Sequence, residues 1–227
     1  MKKELSIVLV SGGMDSCVSA AMAEKRGPLA FMHSNYGQRT EARELKSFKA
    51  LARHYRVKKT LVADMRYLKD IGASALTNKA IKMPKGRLKR SDVPSTYVPF
   101  RNAQLLSAAI SWAEAIGAKN VYIGAVEEDF SGYPDCRQAF FKAFEKAART
   151  GTRPGTKIRI ITPLIGITKE EIVKTGIKLK APLHLTWSCY KDSRLACGEC
   201  DSCLLRLKGF EGSGMKDPVP YKRRKGK

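Results

Sequence analysis

Five short apolar runs, 5–10, 29–32, 57–63, 120–125 and 158–161, divide the chain and leave room for a helix after each of the first four. The first run is apolar without alternation, which marks a strand covered on both faces of a parallel sheet. A helical pattern built on Val18, Ala21 and Met22 follows it and runs to Arg26, where Gly27 and Pro28 stop it. Helical periodicity returns at about 41–55, 103–116 and 138–148. The stretch 103–116 is too rich in Ala, Leu and Ile for a solvent face and is expected to be central. Repeated strand, helix, strand predicts an α/β fold with a doubly wound, mostly parallel five-stranded sheet. Between 74 and 94 the periodicity fails, and Pro84, Gly86 and several lysines suit a mobile loop better than a lid that orders on binding. Thr168 before Lys169, Glu170 and Glu171 reads as a helix N-cap with acids in the first turn.

The turn that closes the first strand carries the strongest chemical signal. Ser11-Gly12-Gly13-Met14-Asp15-Ser16 places two glycines and two hydroxyls where a strand hands over to a helix. Glycines there let backbone approach a ligand, and the first N–H groups of the helix lack internal partners, so the turn is an anion site. The pattern G-x-x-x-x-G-K-S/T is absent, and no lysine follows the glycines. The arrangement instead resembles the PP-loop of ATP pyrophosphatases, whose N–H groups hold the pyrophosphate that leaves when an α-phosphate is attacked. Asp15 is then a candidate Mg²⁺ partner, with Ser11 and Ser16 as phosphate donors.

Further chemistry falls at the carboxyl ends of other strands, the edge where open α/β sheets bind ligands. Tyr36, Gln38 and Arg39 follow the second run, with Gln38 and Arg39 reading equally as a solvated helix start or a ligand contact. Arg101 and Asn102 open the apolar helix pattern. The loop 127–137 follows the fourth run and contains Asp129, Ser131, Gly132, Tyr133, Asp135, Cys136 and Arg137, a set able to stack on and hydrogen-bond a purine-like substrate.

Composition changes the picture in two ways. Lys and Arg number 43 against 21 Asp and Glu, a formal net charge of +22, so the surface attracts polyanions. No aromatic residues interleave the basic runs 79–90 and 222–227, which argues against a single-strand stacking platform, and nucleic-acid binding is not the favoured reading. No apolar run approaches a membrane span and no signal-peptide core is present, so a cytoplasmic protein is expected. The cysteines supply the second change. Cys189, Cys197, Cys200 and Cys203 share one short stretch, and the two-residue gaps among the last three suit one tetrahedral Zn²⁺ closed by Cys189. An iron–sulfur cluster and a pair of disulfides are the other arrangements, the second disfavoured in a reducing compartment. A closed four-cysteine site would be structural. Cys136 is read as an inert thiol.

Taken together, the SGGMDS turn, Tyr36-Gly37-Gln38-Arg39, Val98-Pro99-Phe100-Arg101-Asn102, the 129–137 loop, Thr162-Pro163-Leu164 and the cysteine stretch with Ser188 and Tyr190 make the chain resemble the 7-cyano-7-deazaguanine synthases. These belong to the PP-loop ATP pyrophosphatase superfamily, and the resemblance covers nearly the whole chain. It implies an adenine nucleotide α-hydrolase-like domain at 1–180, a zinc-binding segment at 181–215 and a basic tail at 216–227. It implies an ATP-dependent ligase that converts 7-carboxy-7-deazaguanine and ammonia to the nitrile through an adenylated carboxylate and an adenylated amide. ATP, Mg²⁺ and one structural Zn²⁺ per chain are the implied cofactors, and a homodimer the implied assembly. The nucleotide footprint would be Leu9, Val10, Ser11, Gly12, Gly13, Met14, Asp15, Ser16, Cys17, Val18 and Ser19. Asp15, Ser16, Arg101, Asp129 and Arg137 would be catalytic, and Tyr36, Gln38, Arg39, Ser131, Gly132, Tyr133 and Asp135 would bind substrate. Relatives of this fold that adenylate or thiolate a nucleic acid or protein, and a zinc-ribbon nucleic-acid-binding module, are the competing readings.

Overall fold

The computed structural model describes residues 3–87, 92–127 and 132–222. Its strands are β1 (Ser6–Leu9), β2 (Leu29–Asn35), β3 (Lys59–Asp64), β4 (Asn120–Ile123) and β5 (Arg159–Ile161). They form one all-parallel sheet in the order β3-β2-β1-β4-β5. β1 lies in the middle, with Ser6 opposite Leu29 on one side and Asn120 on the other.

The two faces of β1 explain its unalternating sequence. Ile7 and Leu9 enter one core with Leu106, Ile110 and Ala113, whereas Val8 and Val10 enter the other with Val18, Phe48, Leu51 and Ile172. Each fully buried aliphatic side chain of this kind stabilises by about 1.5–3 kcal/mol relative to exposure. The helices that supply these layers are α1 (Met14–Glu24), α2 (Glu41–His54), α3 (Tyr67–Ile71), α4 (Arg101–Ile116), α5 (Gln138–Gly151) and α6 (Lys169–Lys178). A last helix, α7 (Asp201–Gly212), starts inside the cysteine stretch with Cys200 as its N-cap.

Two helices, α3 and α7, do not show in the hydrophobic pattern. The five residues of α3 are too few for a period to show. In α7 the buried face includes Cys203 and Arg206, which read as non-core residues in the sequence. The Arg206 guanidinium is buried and grips Asp217 through Nε at 2.7 Å and Nη2 at 2.9 Å. Asp217 belongs to the stretch expected to be tail, yet Val219 is buried and Ala196 bridges to Tyr221. The folded unit around the cysteines therefore reaches Lys222, because a buried guanidinium needs the carboxylate that this stretch supplies.

Segment 72–87 has no helix or strand beyond turns, in line with its lost periodicity, but it is tied down. Arg39 donates to the carbonyls of Ala75, Asn78 and Ile81, and Gly86 N–H and Arg87 N–H reach Glu199 O and Asp201 Oδ1, both at 2.8 Å.

Candidate active site

In the order 3-2-1-4-5 the connections leave β1 and β4 on opposite sides, which opens a crevice at their carboxyl ends. A cavity of about 290 Å³ lies there, lined by residues from β1, β2, β4, α4, α6 and the 187–206 region. One end is the SGGMDS turn. Gly12 has φ +90°, and a Cβ there would stand 2.7 Å from Glu44 O, so only glycine fits. Ser11 Oγ accepts from Gly13 N–H at 3.2 Å and donates to Ser16 Oγ at 3.2 Å, while Ser16 donates to Gly13 O at 3.0 Å. The turn is thereby rigid before ligand arrives, with the N-terminus of the 11-residue α1 facing the cavity. Gly124, just after β4, allows the fourth strand to approach this turn: a Cβ there would lie 2.9 Å from the Asp15 carbonyl carbon.

Asp15 Oδ2 pairs with Lys169 Nζ at 3.0 Å, and Asp15 Oδ1 is buried with no hydrogen-bond partner among the described residues. Lys169 is itself buried. It stands in the first turn of α6, where the helix dipole disfavours a cation, and that misfit was the available signal for a residue the sequence reading passed over. His33, from β2, has Nδ1 at 2.8 Å from Val10 O. Since a carbonyl only accepts, Nδ1 carries the proton, and burial pushes the imidazole below its ordinary value and keeps it neutral.

The other end of the cavity is aromatic. Tyr36, Tyr133 and Tyr190 line it together with Arg101 and Asn102. Arg101 Nη1 donates to Tyr36 Oη at 3.0 Å, with the guanidinium carbon 5.2 Å from the Tyr36 ring centroid. Burial raises the Tyr36 phenol to about 12, so it stays neutral and accepts this bond. Tyr133 Oη pairs with Thr96 Oγ1 at 2.8 Å. Asp135 Oδ2 accepts Asn102 N–H at 2.8 Å, and Asn102 Nδ2 donates to Asp135 O at 2.9 Å, which fixes the start of α4 against the 132–137 loop. Burial, then Asp135, pushes the Cys136 thiol up to about 11.

The C-terminal unit forms the remaining wall. Trp187 N–H donates to Gly12 O at 2.8 Å, and Arg43 covers the Trp187 ring at 4.4 Å. The next residues, Ser188 and Tyr190, face the cavity and flank Cys189. The sulfurs of Cys189, Cys197, Cys200 and Cys203 all lie within 4.8 Å of one another. No disulfide joins them. A tetrahedral site with metal–sulfur bonds near 2.3 Å needs sulfur separations of about 3.8 Å; Cys197 and Cys203 stand 3.8 Å apart. Cys189 Sγ also accepts N–H bonds from Lys191, Asp192 and Cys197, the backbone knuckle that stabilises a thiolate. The four cysteines fit a metal ion with no open position.

The cavity thus gathers Leu9, Val10, Ser11, Gly13, Met14, Asp15 and Ser16 with Tyr36, Arg101 and Tyr133. Gly12 backs the turn, whereas Cys17, Val18 and Ser19 are buried within α1. Gln38 is buried in its own loop, accepting Tyr36 N–H and donating to Glu44, and Arg39 is spent on segment 75–81. Gly132 and Asp135 shape the loop behind the cavity, and Arg137 is exposed at the N-cap of α5. Asp129 and Ser131 lie outside the described residues. Besides Lys169, the sequence reading did not place His33, Trp187, Ser188 or Tyr190 in the site; Ser188 and Tyr190 were visible only as neighbours of a cysteine.

A family model described as "Queuosine biosynthesis protein QueC" matches residues 5–214. The chain belongs to the QueC family. Among curated relatives, the 7-cyano-7-deazaguanine synthase of Chlorobaculum parvum is 54% identical over 217 residues, 95% of this chain and 96% of that one. The 7-cyano-7-deazaguanine synthase of Chlorobium chlorochromatii is 52% identical over 220 residues, 96% of each chain. Among solved structures, the U34-tRNA thiolase NcsA of Methanococcus maripaludis, with its 4Fe-4S cluster, superposes with TM-score 0.51 at 14% identity, covering 80% of this chain and 58% of that one. That likeness is one of fold.

Proposed function

We propose that this QueC-family chain is an ATP-dependent ligase that converts 7-carboxy-7-deazaguanine and ammonia to 7-cyano-7-deazaguanine, a step of queuosine precursor biosynthesis. The observation that carries the reading is that a phosphate-binding turn and an aromatic wall with one guanidinium face the same cavity at the switch point of the sheet. The relatives named for this reaction match almost end to end.

A carboxylate is a poor electrophile, so its oxygen attacks the α-phosphorus of ATP and pyrophosphate leaves into the N–H cradle of residues 11–16. Ammonia then displaces AMP from the acyl carbon, gives up a proton and leaves the amide. The amide oxygen attacks a second ATP in the same way, and loss of AMP with the remaining amide protons produces the nitrile. Residues 11–16 bind the leaving pyrophosphate in both activations, and Lys169 adds a cation beside Asp15. Asp15 Oδ1, buried and without a partner among the described residues, is the atom that fits Mg²⁺, which would neutralise phosphate charge there. Zn²⁺ is assigned to the four cysteines as a structural ion.

Incubation with 7-carboxy-7-deazaguanine, ammonium and Mg·ATP should give nitrile and AMP in a ratio of about one to two, read by mass spectrometry. ADP as the nucleotide product, or an amide that never proceeds, would overturn the reading. A thiolated product would point instead to sulfur transfer, which the raised Cys136 thiol disfavours. A homodimer in the cytoplasm is part of the same reading, checked by the mass of the particle in solution.

A further inference from the structure

Two arginines with buried donor atoms face this cavity, and they are satisfied differently. Arg206 holds Asp217 by two bonds and touches Thr186 Oγ1 at 2.7 Å. Arg101 has one bond, to the neutral Tyr36 phenol. Its Nε is buried with no hydrogen-bond partner among the described residues, and no described carboxylate forms an ion pair with it. The two nearby acids are engaged by other groups, Asp135 by Asn102 N–H and Glu44 by Thr40 and Gln38. A guanidinium whose Nε is withdrawn from water without a partner is costly, and this fold supplies an anion where the role is structural.

From this contrast the geometry points to Arg101 as the seat of the substrate's carboxylate, with Tyr36, Tyr133 and Tyr190 as the walls for its flat ring. The inference rests on the function proposed above and assigns one end of its site. Phosphate is the less suitable occupant, because the cavity already has a proposed phosphate end in residues 11–16 and Lys169, whose donors are backbone N–H groups and an ammonium. The guanidinium fork matches a planar carboxylate with two parallel bonds, and phenol faces suit a planar heterocycle. The backbone aims the fork. Phe100, just before Arg101, sits at φ +54°, a conformation that non-glycine residues rarely hold, with its N–H bound to Tyr97 Oη at 2.9 Å.

A consequence follows for the reaction. The acid is anionic, whereas the amide and the nitrile are neutral, so Arg101 selects the starting acid and loses its ion pair once nitrogen replaces oxygen. The site would then hold substrate more tightly than product.

Calorimetric binding of 7-carboxy-7-deazaguanine, its amide, the nitrile and Mg·ATP to the metal-loaded full chain tests this. The wild type should bind the acid about 100-fold tighter than the nitrile, the range expected of charge-assisted bonds. Arg101→Met should lose that preference, leaving nitrile and Mg·ATP affinities within about threefold. Arg101→Lys, which keeps the charge and guards against a folding defect, should retain part of the preference with acid affinity down about tenfold. Equal losses for acid and nitrile in both variants would mean that Arg101 only shapes the pocket. A loss centred on Mg·ATP would make it a phosphate ligand. Either outcome overturns the assignment. An enzyme that prefers the acid but makes no nitrile would refute the proposed reaction and leave this assignment standing.

Discussion

The proposed phosphate end and the ring end of the cavity are built in opposite ways. The first comes from one continuous turn, residues 11–16, whose donors are backbone N–H groups held by two serine hydroxyls. The second gathers Tyr36, Arg101, Tyr133 and Tyr190 from four separate segments, and its chemistry resides in side chains. A backbone site is sensitive to anything that alters φ or adds a Cβ, whereas a side-chain site is sensitive to residue type and to whatever positions each contributing segment.

The largest effect should come from removing the metal that the four cysteines fit. Cys189 is followed directly by Tyr190, and Glu199 and Asp201 anchor Gly86 and Arg87. Stripping by chelator should lower the melting temperature by about 10 °C or more, since structural-metal binding is folding free energy and each kcal/mol is worth about 2–4 °C at this size. Affinity for the acid should fall further than affinity for Mg·ATP. Equal losses at both ends would show that the two are not supported separately.

Gly12→Val is the converse experiment. The added side chain meets Glu44 O at a distance no Cβ adopts, on a backbone at φ +90°. Mg·ATP affinity should drop by about 100-fold or more, while the four cysteines still take up metal and the acid still binds. A variant that binds nucleotide within tenfold of wild type would mean that the turn is not the phosphate site.

This opposition also explains what could be read from the sequence. The turn proposed for phosphate is local, so residues 11–16 carry its geometry in their order, and the cysteine spacing does the same for the cluster that fits a metal. The sheet was legible because β1 buries both faces and its apolar run shows no alternation. Tyr190 and Lys169 were harder to place: a lysine in the first turn of α6 is a local misfit, but nothing near it in the chain names Asp15, 3.0 Å away, as its partner. Gln38 illustrates the reverse problem. It stands at the ligand edge of the sheet, yet its amide is used up by Tyr36 N–H and Glu44, which only the loop geometry shows. The structured end of the chain was hidden for a related reason, since Arg206 and Asp217 look like surface charges until they are paired.

His33 offers a smaller test at the phosphate end, where its ring holds Val10 O and stacks on Phe48 with centroids 5.1 Å apart. Burial holds its folded-state pKa below the ordinary value of about 6.5, so below that pH the unfolded chain binds a proton that the folded chain refuses. Its contribution to stability is fully present above about pH 6.5 and declines as pH falls, by at most about 1.4 kcal/mol per unit until the folded-state pKa is reached. Denaturant unfolding at pH 7.5 and 5.5 should show a steeper loss for wild type than for His33→Gln. Identical slopes would remove His33 as the cause.

The smallest effect tests whether the phosphate end is as self-contained as its sequence suggests. Thr168 and Glu171 form a reciprocal cap on α6: Glu171 N–H donates to Thr168 Oγ1 at 3.2 Å, and Thr168 N–H donates to Glu171 Oε2 at 2.8 Å. That cap sets the first turn of the helix, and the first turn carries Lys169 to Asp15. Thr168→Ala should cost about 1 kcal/mol, a fall of about 2–4 °C in melting temperature, and Thr168→Ser should restore most of it. If the turn depends on Lys169 being held in place, Thr168→Ala also lowers the rate of AMP formation at saturating acid, by about twofold to threefold, and Thr168→Ser recovers it. A melting shift with no change in rate would mean that Lys169 finds Asp15 without the cap, and that residues 11–16 are supported by the sheet and α1 alone.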